Sequence, residues 1–231
     1  MKIRVYFSAS KEPFTFNYPH QLCGVFHHWL GHNDLHNKIS LYSLGWLKGR
    51  TKVTDQALNF PDGAVWDIGI HSSSVSEEMI RGLLLKDFLF HGMQIRKVER
   101  LKPPLFKEGK HRFLAGSPIL LRKLEDDGSR KHIIYNDPKS DGILNRVIHK
   151  KAEEAGFTPG KELDLRFDST YRNPKTKLVD IKGIKNRASV CPVIAEGPVE
   201  ALEFLWTVGA GELTGVGFGS LDHTGQLGNG A

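Results

Sequence analysis

Polar and apolar positions alternate along Lys2–Ser8, a period of two that predicts a half-buried strand. After Pro19 the period changes. Leu22, Val25, Phe26, Trp29 and Leu30 fall on one helical stripe, and Gly31 stands where such a helix would stop. Alternation returns at Ile39–Trp46 and at Ala64–His71. A second helical pattern covers Ser76–Leu85, with Ser74 or Ser76 available as its cap, and Gln94–Leu101 reads as another strand. The resulting order, β-α-β-β-α-β, is that of a ferredoxin-like unit.

Lys102-Pro-Pro-Leu105 reads as a linker, and the pattern beyond it resembles the first half. Phe113–Leu121 reads as a strand and Asp141–Ala155 as a helix closed by Gly156. Leu163–Tyr171, Lys177–Ile184 and Ala188–Ile194 follow as strands. Gly197-Pro198 opens a helix whose apolar stripe is Val199, Leu202, Leu205 and Trp206, and Phe218–Leu221 reads as a last short strand. The prediction is an α+β chain of two tandem domains, 1–103 and 104–223, with a disordered tail at 224–231.

Composition narrows the partners. The formal net charge of +6 favours an acidic partner such as nucleic acid. Cys23 and Cys191 are too far apart in sequence to form a metal box or a disulfide framework, and free thiols fit a reducing cytoplasm. The first residues read as a strand rather than a signal peptide. No apolar run approaches the roughly 20 residues that span a bilayer. The expectation is a cytoplasmic protein with no membrane partner.

His27, His28, His32 and His36 crowd the end of the first helix and the turn after it. Imidazoles titrate near neutral pH, so they can take and give protons there. His28 and His32 have the i, i+4 spacing of a zinc helix, but Gly31 falls between them, no Glu follows His28, and Asp34 is the nearby carboxylate. In RNA the 2′-hydroxyl can attack its own phosphate, which needs a base, an acid and a cation for the developing charge. Two histidines and a lysine suffice, and Lys38 and Lys48 lie close by in sequence. Further basic residues lie in Arg172–Arg187, a predicted hairpin that includes Lys182, Lys185 and Arg187.

That hairpin precedes Gly209-Ala-Gly-Glu-Leu-Thr-Gly-Val-Gly-Phe-Gly219. No Gly-Lys-Ser/Thr follows it, and it follows a helix, so it is neither a Walker motif nor a dinucleotide fingerprint. The reading is a glycine loop at Gly209, Gly211, Gly215, Gly217 and Gly219 whose exposed backbone N–H groups hold phosphates.

These elements resemble the CRISPR repeat-processing endoribonucleases of the RAMP superfamily. The likeness rests on the glycine loop ending in Gly217-Phe218-Gly219, on Leu35-His-Asn-Lys-Ile-Ser-Leu-Tyr-Ser-Leu44, and on Ala115-Gly-Ser-Pro118. The resemblance implies tandem ferredoxin-like (RRM-like) domains with a C-terminal glycine-rich loop. It implies metal-independent, cofactor-free cleavage of precursor CRISPR RNA within its repeats, by 2′-hydroxyl attack, leaving 5′-hydroxyl and 2′,3′-cyclic phosphate ends. His36 matches the histidine after the first helix, with His32 as the substitute, His27 matches the residue on that helix, and Lys38 matches the lysine. Lys182, Lys185, Arg187 and the five loop glycines are expected to bind the RNA. The expected partners are the repeat RNA and a CRISPR interference complex, for a monomer or a homodimer. The alternative is a non-catalytic RNA-binding subunit of such a complex.

Overall fold

The computed structural model describes residues 1–35, 38–85 and 90–226. The first alternating segment, β1 (Lys2–Phe7), lies inside a four-stranded antiparallel sheet. β5 (Ala64–Ile70) flanks it on one side and β6 (Ile95–Leu101) on the other, while β2 (Tyr42–Leu44) pairs with the far edge of β5. The strand order β2-β5-β1-β6 is the ferredoxin-like arrangement. β3 (Lys52–Val53) and β4 (Leu58–Asn59) form a small hairpin within the β2–β5 connection. Helix α1 (Tyr18–Leu30) buries the stripe Leu22, Val25, Phe26 and Trp29, and Gly31, with φ 75°, ends it. α2 (Ser73–Leu85) packs beside it, with Gly82 so close to the Trp29 carbonyl that no side chain fits.

The second half repeats the plan. β7 (Lys110–Ala115), β10 (Asp164–Phe167), β13 (Val193–Glu196) and β14 (Leu221–Gln226) form an antiparallel sheet in the order β10-β13-β7-β14. α3 (Ser140–Glu154) and α4 (Val199–Val208) are its helices. Two hairpins are inserted: β8 (Leu121–Leu124) with β9 (Arg130–Ile133), and β11 (Lys175–Ile181) with β12 (Ile184–Val190). Each half has its own apolar core, one running from Ile3 to Met93 and the other from Phe106 to Leu221.

Several local expectations change: the strand expected at Lys177–Ile184 runs across the Lys182-Gly183 turn, and the one expected at Ala188–Ile194 is split between β12 and β13. Phe113–Leu121 is not one strand: β7 ends at Ala115, and Leu121 opens a separate hairpin. The last strand begins at Leu221, not Phe218, whose ring is buried in the loop. It continues to Gln226, so Gly225 and Gln226 of the expected tail pair with β7 past a bulge at Thr224, and 227–231 lie outside the described residues. β14 is an edge strand held by backbone pairing, so its mostly polar sequence carries no hydrophobic alternation.

Polar contacts bolt the halves together. The fully buried Lys2 ammonium donates to the carbonyls of Trp206 and Leu221. Ser43 Oγ donates to the Thr207 carbonyl at 2.8 Å, and Gly69 lies against that same carbonyl, where a Cβ would collide. Arg4 and Lys48 both grip the buried Asp67, and Lys48 reaches on to Asp222 at 2.6 Å. Burial alone would raise the Asp67 carboxyl, but its bond to Arg4 and the nearby Lys48 charge hold it below its ordinary value.

Candidate active site and nucleic-acid interface

α1 presents His27 half-buried in its last turn. Asn33, just past the helix, fixes the ring. Its Nδ2 donates to the Gly31 carbonyl at 2.8 Å, which leaves Oδ1 facing His27 Nδ1 at 3.2 Å. An acceptor at that place requires a proton on Nδ1. The neutral ring therefore keeps its lone pair on Nε2, the nitrogen that can act as a base. The His27 ring also stands edge-on to Tyr42, with centroids 6.4 Å apart, and Tyr42 stacks on Phe26. Burial raises the Tyr42 phenol to about 12, so it stays protonated near neutral pH.

The glycine loop reaches this strand from the other half. Thr214 Oγ1 donates to the Tyr42 carbonyl at 2.7 Å, and a Cβ on Gly215 would meet the Tyr42 ring at 2.7 Å. Trp46 Nε1 donates to the Gly217 carbonyl at 2.7 Å. Beneath the loop, the fully buried Lys151 donates to the Val208 and Gly209 carbonyls and to Thr214 Oγ1, at 3.0, 3.4 and 2.9 Å. With no carboxylate in contact among the described residues, desolvation lowers this lysine to about 7.

The packing corrects one expectation about the loop. Gly209, Gly211, Gly215, Gly217 and Gly219 are all buried. Several of the loop's N–H groups are spent inside the protein: Gly209 on Leu205, Ala210 on Gly219, Glu212 on Leu120 and Gly219 on Pro118. Gly219, at φ 62°, sits where a Cβ would overlap the Ala210 carbonyl. These glycines let the loop thread between the two domains.

The basic hairpin is mounted on that loop. Val179 and Ala188 pack with Leu120 and Phe218, against Trp46 and Val216. Lys177 Nζ lies 4.4 Å from the centre of the Trp46 ring, a cation–π contact that ties the hairpin to the N-terminal half. The turn is a two-residue loop, Lys182-Gly183, both at positive φ (51° and 83°). Lys182 is exposed, and its charge bears on Cys23 of α1: burial raises that thiol to about 11, and the ammonium opposes the rise. Lys185 and Arg187 lie exposed along β12.

Among the sequence-derived candidates, the structure therefore brings His27 and the loop to Tyr42, and sets Lys182 near Cys23 of α1. Lys38 is exposed and lines a cleft with Gly211 to Thr214. His36 lies outside the described residues. His28 and His32 are exposed, with the helix stop between them, and among the described residues no group of three or more His, Cys, Asp or Glu gathers as a metal site would need. Lys48, near the histidines in sequence, is instead committed to Asp67 and Asp222. Lys151 and Trp46 had no motif to announce them, and Tyr42 stood only within the Leu35–Leu44 stretch; the place of all three depends on contacts between the two halves.

Two ferredoxin-like units joined by a buried glycine loop, with a basic hairpin over it, define a RAMP-type architecture. The family model for the C-terminal part of the CRISPR-associated protein Cas6 matches residues 101–223, more than half of the chain. The chain belongs to the Cas6 family. A structure from work on a Cas6-related gene of Pyrococcus furiosus is similar at TM-score 0.84 and 18% identity, covering 98% of this chain and 99% of that one. A RAMP protein described as binding different RNA substrates gives TM-score 0.82 and 18% identity over 97% and 100%. A Cas6 product complex gives TM-score 0.65 and 16% identity over 96% and 99%. No curated protein matches the chain in sequence. No helix among the described residues is long and apolar enough to cross a membrane.

Proposed function

We propose that this Cas6 protein cleaves precursor CRISPR RNA within its repeats, without a metal ion. The observation that carries the reading is the seating of His27: Asn33 holds Nδ1, and the ring meets the strand on which the glycine loop docks. In the proposed step a base takes the proton of a ribose 2′-hydroxyl, and O2′ bonds to the adjacent phosphorus. The P–O5′ bond breaks, and an acid protonates the leaving O5′. The products are a 2′,3′-cyclic phosphate and a 5′-hydroxyl. His27 and His36 share the acid and base work, and Lys38 stabilises the charge on the phosphorane-like transition state.

Lys182, Lys185 and Arg187 hold the RNA backbone by charge, and the glycine loop contributes by fixing the hairpin rather than by touching phosphate. Support comes from the family and from the fold shared with the Cas6 product complex. The product is then passed to a CRISPR interference complex. The test is incubation with the repeat RNA that copurifies with the protein, in EDTA, followed by mass analysis of the ends. Cleavage with cyclic-phosphate and 5′-hydroxyl ends supports the reading. Binding without cleavage, with or without Mg²⁺, replaces it with a non-catalytic RNA-binding subunit.

A further inference from the structure

Lys151 and Thr214 are both buried, at 3% and 0% exposure, so every polar hydrogen they carry has to find its partner inside the protein. The Lys151 ammonium has three N–H groups and meets three acceptors: the Val208 carbonyl at 3.0 Å, the Gly209 carbonyl at 3.4 Å and Thr214 Oγ1 at 2.9 Å. Thr214 Oγ1 thus accepts from the lysine, and its single hydrogen goes to the Tyr42 carbonyl at 2.7 Å.

The amine form of Lys151 cannot keep this arrangement. It has two N–H groups and one lone pair. The two carbonyls can only accept, so they hold the two N–H groups, and the lone pair is left facing Thr214 Oγ1. Two lone pairs that close repel. The conflict ends when the threonine turns its hydrogen to Nζ, a more basic acceptor than a peptide oxygen, and the Tyr42 carbonyl then loses its donor. The ionisable groups around the lysine do not hold it in one form. They are Arg146 and Lys150 on α3, Lys38 before β2, the Tyr42 phenol on β2, and Glu212 on the loop, whose carboxylate is clamped by the Arg122 guanidinium. The last turn of α4, Leu205 to Val208, brings no charge. With burial lowering Lys151 to about 7, both forms exist near neutral pH.

Tyr42 carries the exchange to the site. Its ring stacks on Phe26 and stands edge-on to His27, with centroids 4.8 and 6.4 Å away, and Gly215 packs against the same ring. We propose that Lys151 is a positioning residue for the cleavage, acting through Thr214: as an ammonium it leaves the threonine hydrogen to the Tyr42 carbonyl and so seats the glycine loop on the strand beside His27, and as an amine it takes that hydrogen and unseats the loop. The effect on rate rests on the RNA-cleaving reading above; the exchange of the hydrogen bond does not.

The test has one arm without RNA and one with it. Protein carrying carbonyl-labelled tyrosine and ε-carbon-labelled lysine is titrated by carbon-13 NMR, with the Tyr42 and Lys151 signals assigned by Tyr42→Phe and Lys151→Met. The two signals shift together, with one midpoint, and the Tyr42 carbonyl moves upfield as its donor leaves. In Lys151→Met the Tyr42 carbonyl keeps its acid-side shift at every pH, and in Thr214→Val it does not respond. A Tyr42 carbonyl that stays flat in the wild type while Lys151 titrates overturns the inference, and this reading needs no variant to fold. In the second arm, single-turnover cleavage of the copurifying repeat RNA is compared between wild type and Thr214→Val. The wild type is faster by about fivefold at about pH 6, the worth of one ordinary hydrogen bond, and the two rates converge at about pH 9. Thr214→Ser follows the wild type. A rate ratio that is the same at every pH makes the threonine merely structural and overturns the positioning role. If the wild type cuts no RNA at any pH, the functional reading falls and the positioning role with it, while the carbonyl titration still decides whether the hydrogen moves.

Discussion

Lys151 Nζ lies 2.9 Å from Thr214 Oγ1, and the same hydroxyl donates to the Tyr42 carbonyl at 2.7 Å. One threonine thus links the core of the C-terminal half to the strand beside His27. Thr214→Val removes both bonds and leaves a buried ammonium short of an acceptor and a buried carbonyl short of a donor. The expected cost is about 1–3 kcal/mol, with Thr214→Ser retaining most of the stability. Thermal unfolding of the two variants checks this.

The same lysine sets a pH dependence. Lys151 falls to about 7 in the fold and Lys2 to about 8, both because burial disfavours the ammonium. The unfolded chain binds these protons up to the ordinary lysine value of about 10.4. Between these limits the unfolded state holds more protons, so this contribution to stability rises with pH, and it falls away as pH drops through about 8 and then about 7. Relative to Lys151→Met, the wild type gains stability from pH 7 to pH 10. Urea midpoints across that range measure the difference; parallel curves would contradict the assignment.

His27→Ala is expected to slow single-turnover cleavage by about 10²–10⁴, the range for loss of a general acid or base, with RNA affinity unchanged. His27→Gln, which still offers Asn33 a donor, does not restore the rate if the imidazole carries a proton. Single-turnover rates at saturating protein decide between a catalytic and a merely structural ring.

Loop and hairpin separate by variant. Gly219→Ala forces a Cβ into the Ala210 carbonyl at a positive φ, so destabilisation on the order of 3 kcal/mol or more is expected, seen as lost soluble protein. Charge reversal at Lys182, Lys185 and Arg187 leaves the melting temperature in place and lowers the salt slope of RNA binding by about 2, three contacts at about 0.7 each. Salt titrations of affinity read this directly.

Periodicity exposed the framework where an element is half-buried: α1 with its Leu22-to-Trp29 stripe and β1 at Lys2–Phe7 show this plainly. It missed β8 and β9, where only Leu121 and Ile133 are buried and charged residues fill the rest. It placed the final strand too early because Phe218 is apolar for a loop's reason, packing against Val179 and Ala188. At the site, His27 was legible as chemistry on a helix. The glycines were legible as unusual, but not as buried, since the carbonyls and the Tyr42 ring that crowd them are contributed by remote segments or set by the loop's own fold. Lys151 gave no signal, because in sequence it is one basic residue in a charged helix.

The central claim is that the RNA strand is broken by its own ribose hydroxyl, helped by imidazole. A repeat RNA with a single 2′-deoxy nucleotide just 5′ of the scissile phosphate tests this most directly. The account predicts binding equal to that of the all-ribose RNA and no cleavage at that bond, in EDTA or in Mg²⁺. Cleavage of the deoxy substrate at that bond would contradict it.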